Sequence, residues 1–533
     1  MGEYYGVLLE TVSIQNYIFQ SNKLKQNMGA SHMIQNEIYG NLLKESMDTV
    51  CPGLPDECFH LWEKYPNDTI IEKQPFEVGY IGGGNAFLLF REQKTAEKFV
   101  YSWTKKLLLR APGVTTAVGI CPFDLNSFRN CLDELYDTLR KNKAEYIPQT
   151  VIPRHGFTAE CPDTGFSAEV FNKQQNKYIS LAADIKAETA KSGREFFHNL
   201  FQDILSDQFR FPDEFEKLGS VRGEDSHMAV VHIDGNRMAE RFRQCKTLAE
   251  IRSLSVSVHQ ATLNAFSKML RTVLDNYGKI MKELGFNPQS RYSEQRPPED
   301  RDDNYKKFLP ITPIVIGGDD VTFVCNGKMG IYFSKLFLEA FEKEKVRDGK
   351  KLSACAGVAI TKVRYPFYRG YQLSEELCSE AKKINKGQSS ADNMLSGIDF
   401  HVSMGGIFGS LEELRRKYFE YPQIPLGNLL CRPYHLSDRE DEKSLYLMLR
   451  KTEELKENFP TNKIKELRNV LTLSETACQN FATESAYRGR HLPDIGENVY
   501  SKRLFEGNRT IYFDMIELSD FYPRFAMKKG GAK

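Results

Sequence analysis

Residues 311–326 read ITPIVIGGDDVTFVCN. Two runs rich in β-branched and apolar residues flank Gly317-Gly318-Asp319-Asp320, a pattern that predicts a β-hairpin with its tip at the glycines. Glycine tolerates positive φ and carries no side chain, so a bulky ligand can approach the backbone there. Two adjacent carboxylates at such a tip repel each other unless a cation or a hydrogen-bond network compensates. The functional reading is a divalent metal presented to a phosphate. The alternative is a solvated turn carrying two spare charges.

Working outward, residues 78–90, VGYIGGGNAFLLF, repeat the layout: apolar run, glycines, apolar run. The acids are missing there, because Gly84 and Asn85 stand where Asp319 and Asp320 stand in the later copy. Around the first hairpin lie a strand from Tyr4 passing into a helical stretch over Ser21–Glu45, a helix over Thr95–Leu109, a strand over Val114–Cys121 and a helix over Asn126–Lys143. Around the second lie a buried strand, Met228–Asp234, a helix starting near Asn236 and a long amphipathic helix over Val256–Leu284. After it come a helix over Ile331–Lys345, a strand over Ala354–Ile360 and a helix over Gln372–Ile384. The order is the same in both halves. An internal duplication with one acidic copy follows, each unit a small antiparallel sheet backed by helices, in the α+β class. Residues 152–222 turn helical after a loop-like start. Residues 287–307 are polar and proline-containing and read as an exposed insertion. Beyond residue 410 the pattern is helical, over Ser410–Phe419, Arg439–Phe459 and Asn462–Ala482.

Asp234 ends an apolar strand, immediately before Gly235. An acid at the end of a central strand beside an acid-bearing hairpin is what two-metal nucleotidyl transfer requires: three carboxylates, Asp234, Asp319 and Asp320, holding two divalent ions. Asp234 alone also reads as an N-cap for the following helix. Lys382 and Lys383 near a helix end are either dipole partners or phosphate contacts. Gly82, Gly83 and Gly84 could let a nucleotide lie against the first unit, and a plain turn is equally compatible. There is no G-x-x-x-x-G-K-[ST], H-E-x-x-H, C-x-x-C or G-x-S-x-G. Cys51, Cys58 and His60 cluster without an evident fourth ligand for zinc.

The 533 residues predict about three to four domains. Lys+Arg number 72 against 71 Asp+Glu, a formal net charge of +1, so bulk charge argues for neither nucleic acid nor a membrane surface. The start lacks a basic segment followed by a long apolar one, and no run of about 18 apolar residues occurs, so neither a signal peptide nor a membrane span is expected. Eleven scattered cysteines in a chain of this size imply reduced thiols and a cytoplasmic setting.

The strand ending HIDGN, the hairpin IGGDDV and the segment AGVAITKVRYPFYRGYQLSEELCSEAKK resemble the palm domain shared by diguanylate cyclases and the large polymerase-cyclase subunit of type III CRISPR effectors. GGDD, the duplication and the opening stretch SIQNYIFQSNKLKQNMGAS favour the CRISPR-type palm; LLCRPYHL and DMIELSDFY are similar to pieces of its stand-alone relatives. The resemblance implies two ferredoxin-like palms, over 1–150 (degenerate, GGGN) and 226–408 (GGDD), a helical linker over 151–225 and a C-terminal helical domain over 409–533. It implies nucleoside triphosphates, ATP above all, bound between the palms, and a cyclic oligoadenylate or related messenger made for antiviral defence. Asp234, Asp319 and Asp320 would hold two Mg2+ or Mn2+ ions, Gly317 and Gly318 would admit the nucleotide, and Lys382 would touch phosphate. Gly82, Gly83, Gly84 and Asn85 would help hold the acceptor. The implied partners are guide RNA and other type III effector subunits, or a second copy if the enzyme stands alone. No His-Asp dipeptide and no C-x-x-C occur, so DNA cleavage is not expected. A mainly structural nucleotide-binding subunit of a ribonucleoprotein and a diguanylate-cyclase-like enzyme are the other readings.

Overall fold

Nine residues of β1 (Tyr4–Val12), YYGVLLETV, form one of the two inner strands of a four-stranded antiparallel sheet. The hairpin of β2 (Phe76–Gly82) and β3 (Asn85–Phe90) lies on one side of it and β4 (Thr115–Phe123) on the other. Helical segments between Ile14 and Val50 lie between β1 and β2, and helices α1 (Gln93–Arg110) and α2 (Phe128–Glu145) follow the hairpin and β4. Leu132, Leu135 and Leu139 of α2 are buried, a stripe at helical spacing facing the sheet. The computed structural model describes residues 4–145, 156–173, 175–218, 226–287, 299–300, 305–388, 393–403, 405, 409–421, 427–495 and 499–527.

The second unit repeats the order. Strand β5 (His227–Gly235) is flanked by β7 (Asp320–Asn326), itself paired with β6 (Ile311–Gly317), and by β8 (Ala354–Lys362). The two hairpins share a defect as well as a shape. Register shifts between Val78 and Tyr80 in the first and between Pro313 and Val315 in the second, the same distance from the turn. Here the sheet continues further than the repeat predicts. Strand β9 (Gly397–Val402) pairs parallel with β8, and the short β10 (Tyr434–His435) pairs with β9, giving a six-stranded mixed sheet.

Helix α3 (Met238–Gln244) is followed by α4 (Leu248–Asp275), which starts eight residues before the position its apolar spacing suggests. Thr247 sets that start: its hydroxyl accepts the Glu250 amide, one of the orphan donors of a helix N-terminus. Helices α5 (Gly330–Phe341) and α6 (Phe367–Lys382) follow. In the insertion, residues 288–298 and 301–304 lie outside the described residues; Glu299–Asp300 and Lys306–Phe308 form short strands that pair with each other.

The C-terminal part carries α7 (Leu445–Asn458), α8 (Thr461–Val470), α9 (Glu475–Tyr487) and α10 (Tyr512–Phe521). The helix expected over 462–482 is two, because Ser474 caps a new N-terminus by accepting the Ala477 amide. LLCRPYHL and DMIELSDFY meet in a buried network. Arg432, 1% exposed, pairs with Asp514 and Glu517, donates to the carbonyl of Phe400 at 2.6 Å, and lies 3.9 Å from that residue's ring centre. The network ties the C-terminal helices to β9. A charge so buried is tolerated only because each donor finds a partner.

Candidate active site between two hairpins

The two glycine turns face a common cleft of about 1680 Å³, lined by Gly82–Asn85 of the first unit and by Gly317–Asp320 of the second. Strand register assigns positions within it. Gly317 pairs with Asp320 and Gly82 with Asn85, so Asn85 is the counterpart of Asp320 and Gly84 that of Asp319. Glu10 lies opposite Asn85, and Ile233 opposite Val321, which brings Asp234 opposite Asp320.

Gly235 makes room for the acids. A Cβ there would stand 2.7 Å from Asp319 Oδ2, so the hairpin carboxylate packs directly over the strand end that carries Asp234. The sequence-predicted trio Asp234, Asp319 and Asp320 is thereby brought together. Lys382 joins it from the end of α6, its ammonium paired with Asp234 and 3.4 Å from the carbonyl of Gly235. Lys383 faces away and pairs with Glu380.

The electrostatics are those of crowded acids. Burial first, then the charges of Asp234 and Asp320, raise the Asp319 carboxyl to about 7. Burial, then Asp234 and Glu375, raise Asp320 to about 8. Against burial, the charge of Asp234 holds the Lys382 ammonium above its ordinary value. Asp320 Oδ1 is buried without a hydrogen-bond partner and lies 3.4 Å from Nδ1 of His232. An orphaned carboxylate oxygen among acids that resist ionisation suits a hard divalent cation, whose ligands are oxygens. As the side chains stand, no three acid, histidine or cysteine groups among the described residues converge on a metal-sized point, since Asp234 is turned to Lys382.

Sequence reasoning missed a second layer and a second pair. His232 Nδ1 lies 3.2 Å from Thr322 Oγ1, and burial lowers its pKa. Tyr371 donates to Glu375 at 2.9 Å beside it. The second pair, Glu10–Lys143, belongs to the first unit. Glu10 lies opposite Ala117 and Asp234 opposite Cys355. Two residues on, Gly119 and Gly357 let a helix approach, at Leu139 and Cys378 respectively. Four residues beyond those, one helical turn, stand Lys143 and Lys382. Lys143 pairs with Glu10 as Lys382 pairs with Asp234, and all four side chains are about one-third exposed. Only register reveals this, since neither residue stands in a motif.

At the hairpin the likeness stops. Gly84 has φ +75°, and a Cβ on it would meet Ile14 Cδ1 at 2.5 Å. Asp319 has no positive φ, so the two turns differ in backbone as well as in sequence, and a side chain at residue 84 would run into Ile14.

A duplicated palm, with acids kept in the second copy, defines a tandem-palm architecture. Residues 227–391 match the family model for the second palm domain of Cas10/Cmr2, so the chain carries a palm of that type, as its GGDD and HIDGN segments led us to expect. Among solved structures the chain is similar to the Csm1–Csm4 cassette in complex with pppApApA (TM-score 0.50, 14% identity, covering 97% of this chain and 69% of that one). The cassette with pppApA gives the same values, and the apo cassette gives 0.50 and 14% over 97% and 70%. At that identity the likeness is one of fold. No curated protein sequence matches the chain. Among the described residues, no helix is long and apolar enough to cross a membrane.

Proposed function

We propose that this chain is a metal-dependent nucleotidyltransferase that joins ATP-derived nucleotides, releasing pyrophosphate, into a cyclic oligoadenylate or related messenger of CRISPR-type antiviral defence. The observation that carries it is the pair of glycine turns across one cleft, with acids on one turn only. A nucleotide at each turn would be presented to the other, and the acids would mark which of them reacts at its α-phosphate. The family match and the fold shared with a cassette bound to linear pppApApA support an adenylate product.

Asp234, Asp319 and Asp320 would hold two Mg2+ or Mn2+ ions. Bound there, they would supply activation of a 3′-hydroxyl and neutralisation of phosphate charge. The chain's own residues do the positioning. Gly317 leaves open space above the turn, with nothing within 4 Å of where a Cβ would stand, so a nucleotide can lie on the backbone. Lys382 pairs with Asp234 and would be free to meet phosphate once a cation takes its place at that carboxylate. Gly82–Asn85 with the Glu10–Lys143 pair would hold the acceptor. Partner subunits of a type III effector, guide RNA and a cytoplasmic setting belong to the same reading.

The test is pyrophosphate release from each nucleoside triphosphate with Mg2+ or Mn2+, followed by mass spectrometry of the product. Product from ATP that disappears on Asp319→Ala/Asp320→Ala is expected. Silence both alone and with a purified effector complex would favour a structural nucleotide-binding subunit.

A further inference from the structure

One face of helix α4 touches both hairpins. Arg252, 1% exposed, sends its guanidinium into the first unit. Its Nε donates to the carbonyl of Gly79 at 3.1 Å and its Nη1 to that of Asp68 at 2.9 Å. Its Nη2 donates to Glu77 at 2.7 Å and to the carbonyl of Val78. Gly79 is where the β2–β3 register shifts. A bulge takes backbone groups off the ladder, and buried ones need another partner; Arg252 supplies it. The second oxygen of Glu77 accepts the amides of Ile70 and Ile71 at 3.0 and 2.7 Å, so the buried pair is satisfied on both sides.

Ten residues along α4, Thr262 donates its hydroxyl to the carbonyl of Gly318, within the GGDD turn, at 2.6 Å. Residues 252, 255, 259 and 262 share one helical face, and Ser255 and His259 between the two anchors line the cleft. The anchors are about 15 Å apart at 1.5 Å per residue. A second tie runs from Gln35 Nε2 to the carbonyl of Ile316 at 3.4 Å.

We infer that Arg252 is a positioning residue: it clamps α4 to the bulge of the first hairpin, so that the helix acts as a rigid spacer setting the separation of the GGGN and GGDD turns. The inference rests on the reading that each turn carries a nucleotide. A buried ion pair stabilises a fold little better than apolar groups of similar volume. What a planar guanidinium with all its donors engaged does supply is one fixed orientation. Bond formation between two bound substrates needs that: reacting atoms must lie within about 3.5 Å, and a 1 Å error costs about a hundredfold in rate.

The experiment uses the full chain with Arg252→Met/Glu77→Leu, which replaces the pair by apolar groups, and Thr262→Val, which cuts the other anchor. Each is measured for thermal midpoint, for pyrophosphate release at saturating ATP, and for the distance between spin labels on non-canonical residues at the exposed positions of Lys94 and Lys343. The expected result is a folded protein whose distance distribution is broader or displaced and whose turnover falls at least tenfold with little change in KM. A distribution as narrow and as centred as in the parent protein overturns the inference, whatever the rate does. If the double variant does not fold, Thr262→Val decides on the same criteria. If the parent protein releases no pyrophosphate either alone or with a purified effector complex, the proposed function has failed, and the distance distribution still settles whether α4 is a spacer.

Discussion

Gly235→Ala tests whether the strand end and the hairpin form one site. Gly235 closes β5 without a positive φ, so alanine suits its backbone and only the added methyl acts. That methyl would stand 2.7 Å from Asp319 Oδ2, 2.9 Å from Asp319 Cβ and 2.7 Å from Met238 Cγ. Comfortable contact needs about 3.5 Å or more, so the aspartate must retreat by about 1 Å, or β5 must. Overpacking of this kind costs about 1–3 kcal/mol, a fall of a few degrees in melting temperature for a unit of this size. The effect on chemistry is larger, because a 1 Å displacement of a group that orders the reacting atoms costs about a hundredfold. Pyrophosphate release at saturating ATP, with thermal unfolding alongside, separates the two. Gly317→Ala is the matched control for stability: nothing lies within 4 Å of its added methyl, so its melting temperature stays at the parent value, and any lost activity reports the nucleotide's approach. A Gly235→Ala protein that melts a few degrees lower yet turns over at the parent rate would refute the link between Asp319 and the end of β5.

Three further outcomes follow from the packing. Gly84→Asp/Asn85→Asp rewrites the first turn as GGDD without making a second acidic site, since residue 84 has φ +75° and its Cβ meets Ile14. We expect a loss of about 1–3 kcal/mol in denaturant unfolding and no pyrophosphate in an Asp319→Ala/Asp320→Ala background; release there would show that the first unit can be re-armed. Arg432→Leu strands Asp514 and Glu517 in the interior and should cost about 3–5 kcal/mol in the same assay; a loss below about 1 kcal/mol would mean that water reaches the network. Lys186 is fully buried, donates to the carbonyl of Tyr17 at 2.6 Å, and is lowered by burial from 10.5 to about 7. Its folded form binds fewer protons than the unfolded form between those values, so stability rises with pH from about 7 toward 10 by at most about 1.4 kcal/mol per pH unit. In Lys186→Met that component of the slope is absent, and identical slopes for the two proteins would place the ammonium in contact with solvent.

The duplication was legible because it is written in local chemistry. Apolar runs broken by glycines mark both hairpins, and the strands beside them keep the same order in the sheet. Boundaries were less legible where caps decide them: Thr247 starts α4 early, and Ser474 splits the expected helix at residues 471–474. Strand β9 escaped notice because its pairing with β8 is long-range and parallel, and GIDFHV carries two charged or titratable residues, Asp399 and His401. The burial of Asp399 is made tolerable by Arg415, which donates to both of its oxygens at 2.7 and 2.8 Å. No periodicity in the strand announces a partner that lies on another helix.

The site divides in the same way. Asp234, Asp319 and Asp320 stood out because an acid-ended central strand and an acid-bearing hairpin occur together, the combination that two-metal chemistry requires. Glu10 and Lys143 did not, because one lies inside an ordinary apolar strand and the other near an ordinary helix end. Register alone makes them the counterparts of Asp234 and Lys382. The first unit is therefore not a palm stripped of its chemistry. It keeps the strand acid and the helix lysine, and it loses only the two hairpin carboxylates, with Ile14 standing where a side chain on Gly84 would have to go. One acid can pair with one ammonium, whereas holding two divalent ions takes several carboxylates. On the proposed reading the two turns bind alike and react differently, and that inequality gives the cleft a direction: the nucleotide over GGDD is attacked, and the one over GGGN supplies the hydroxyl.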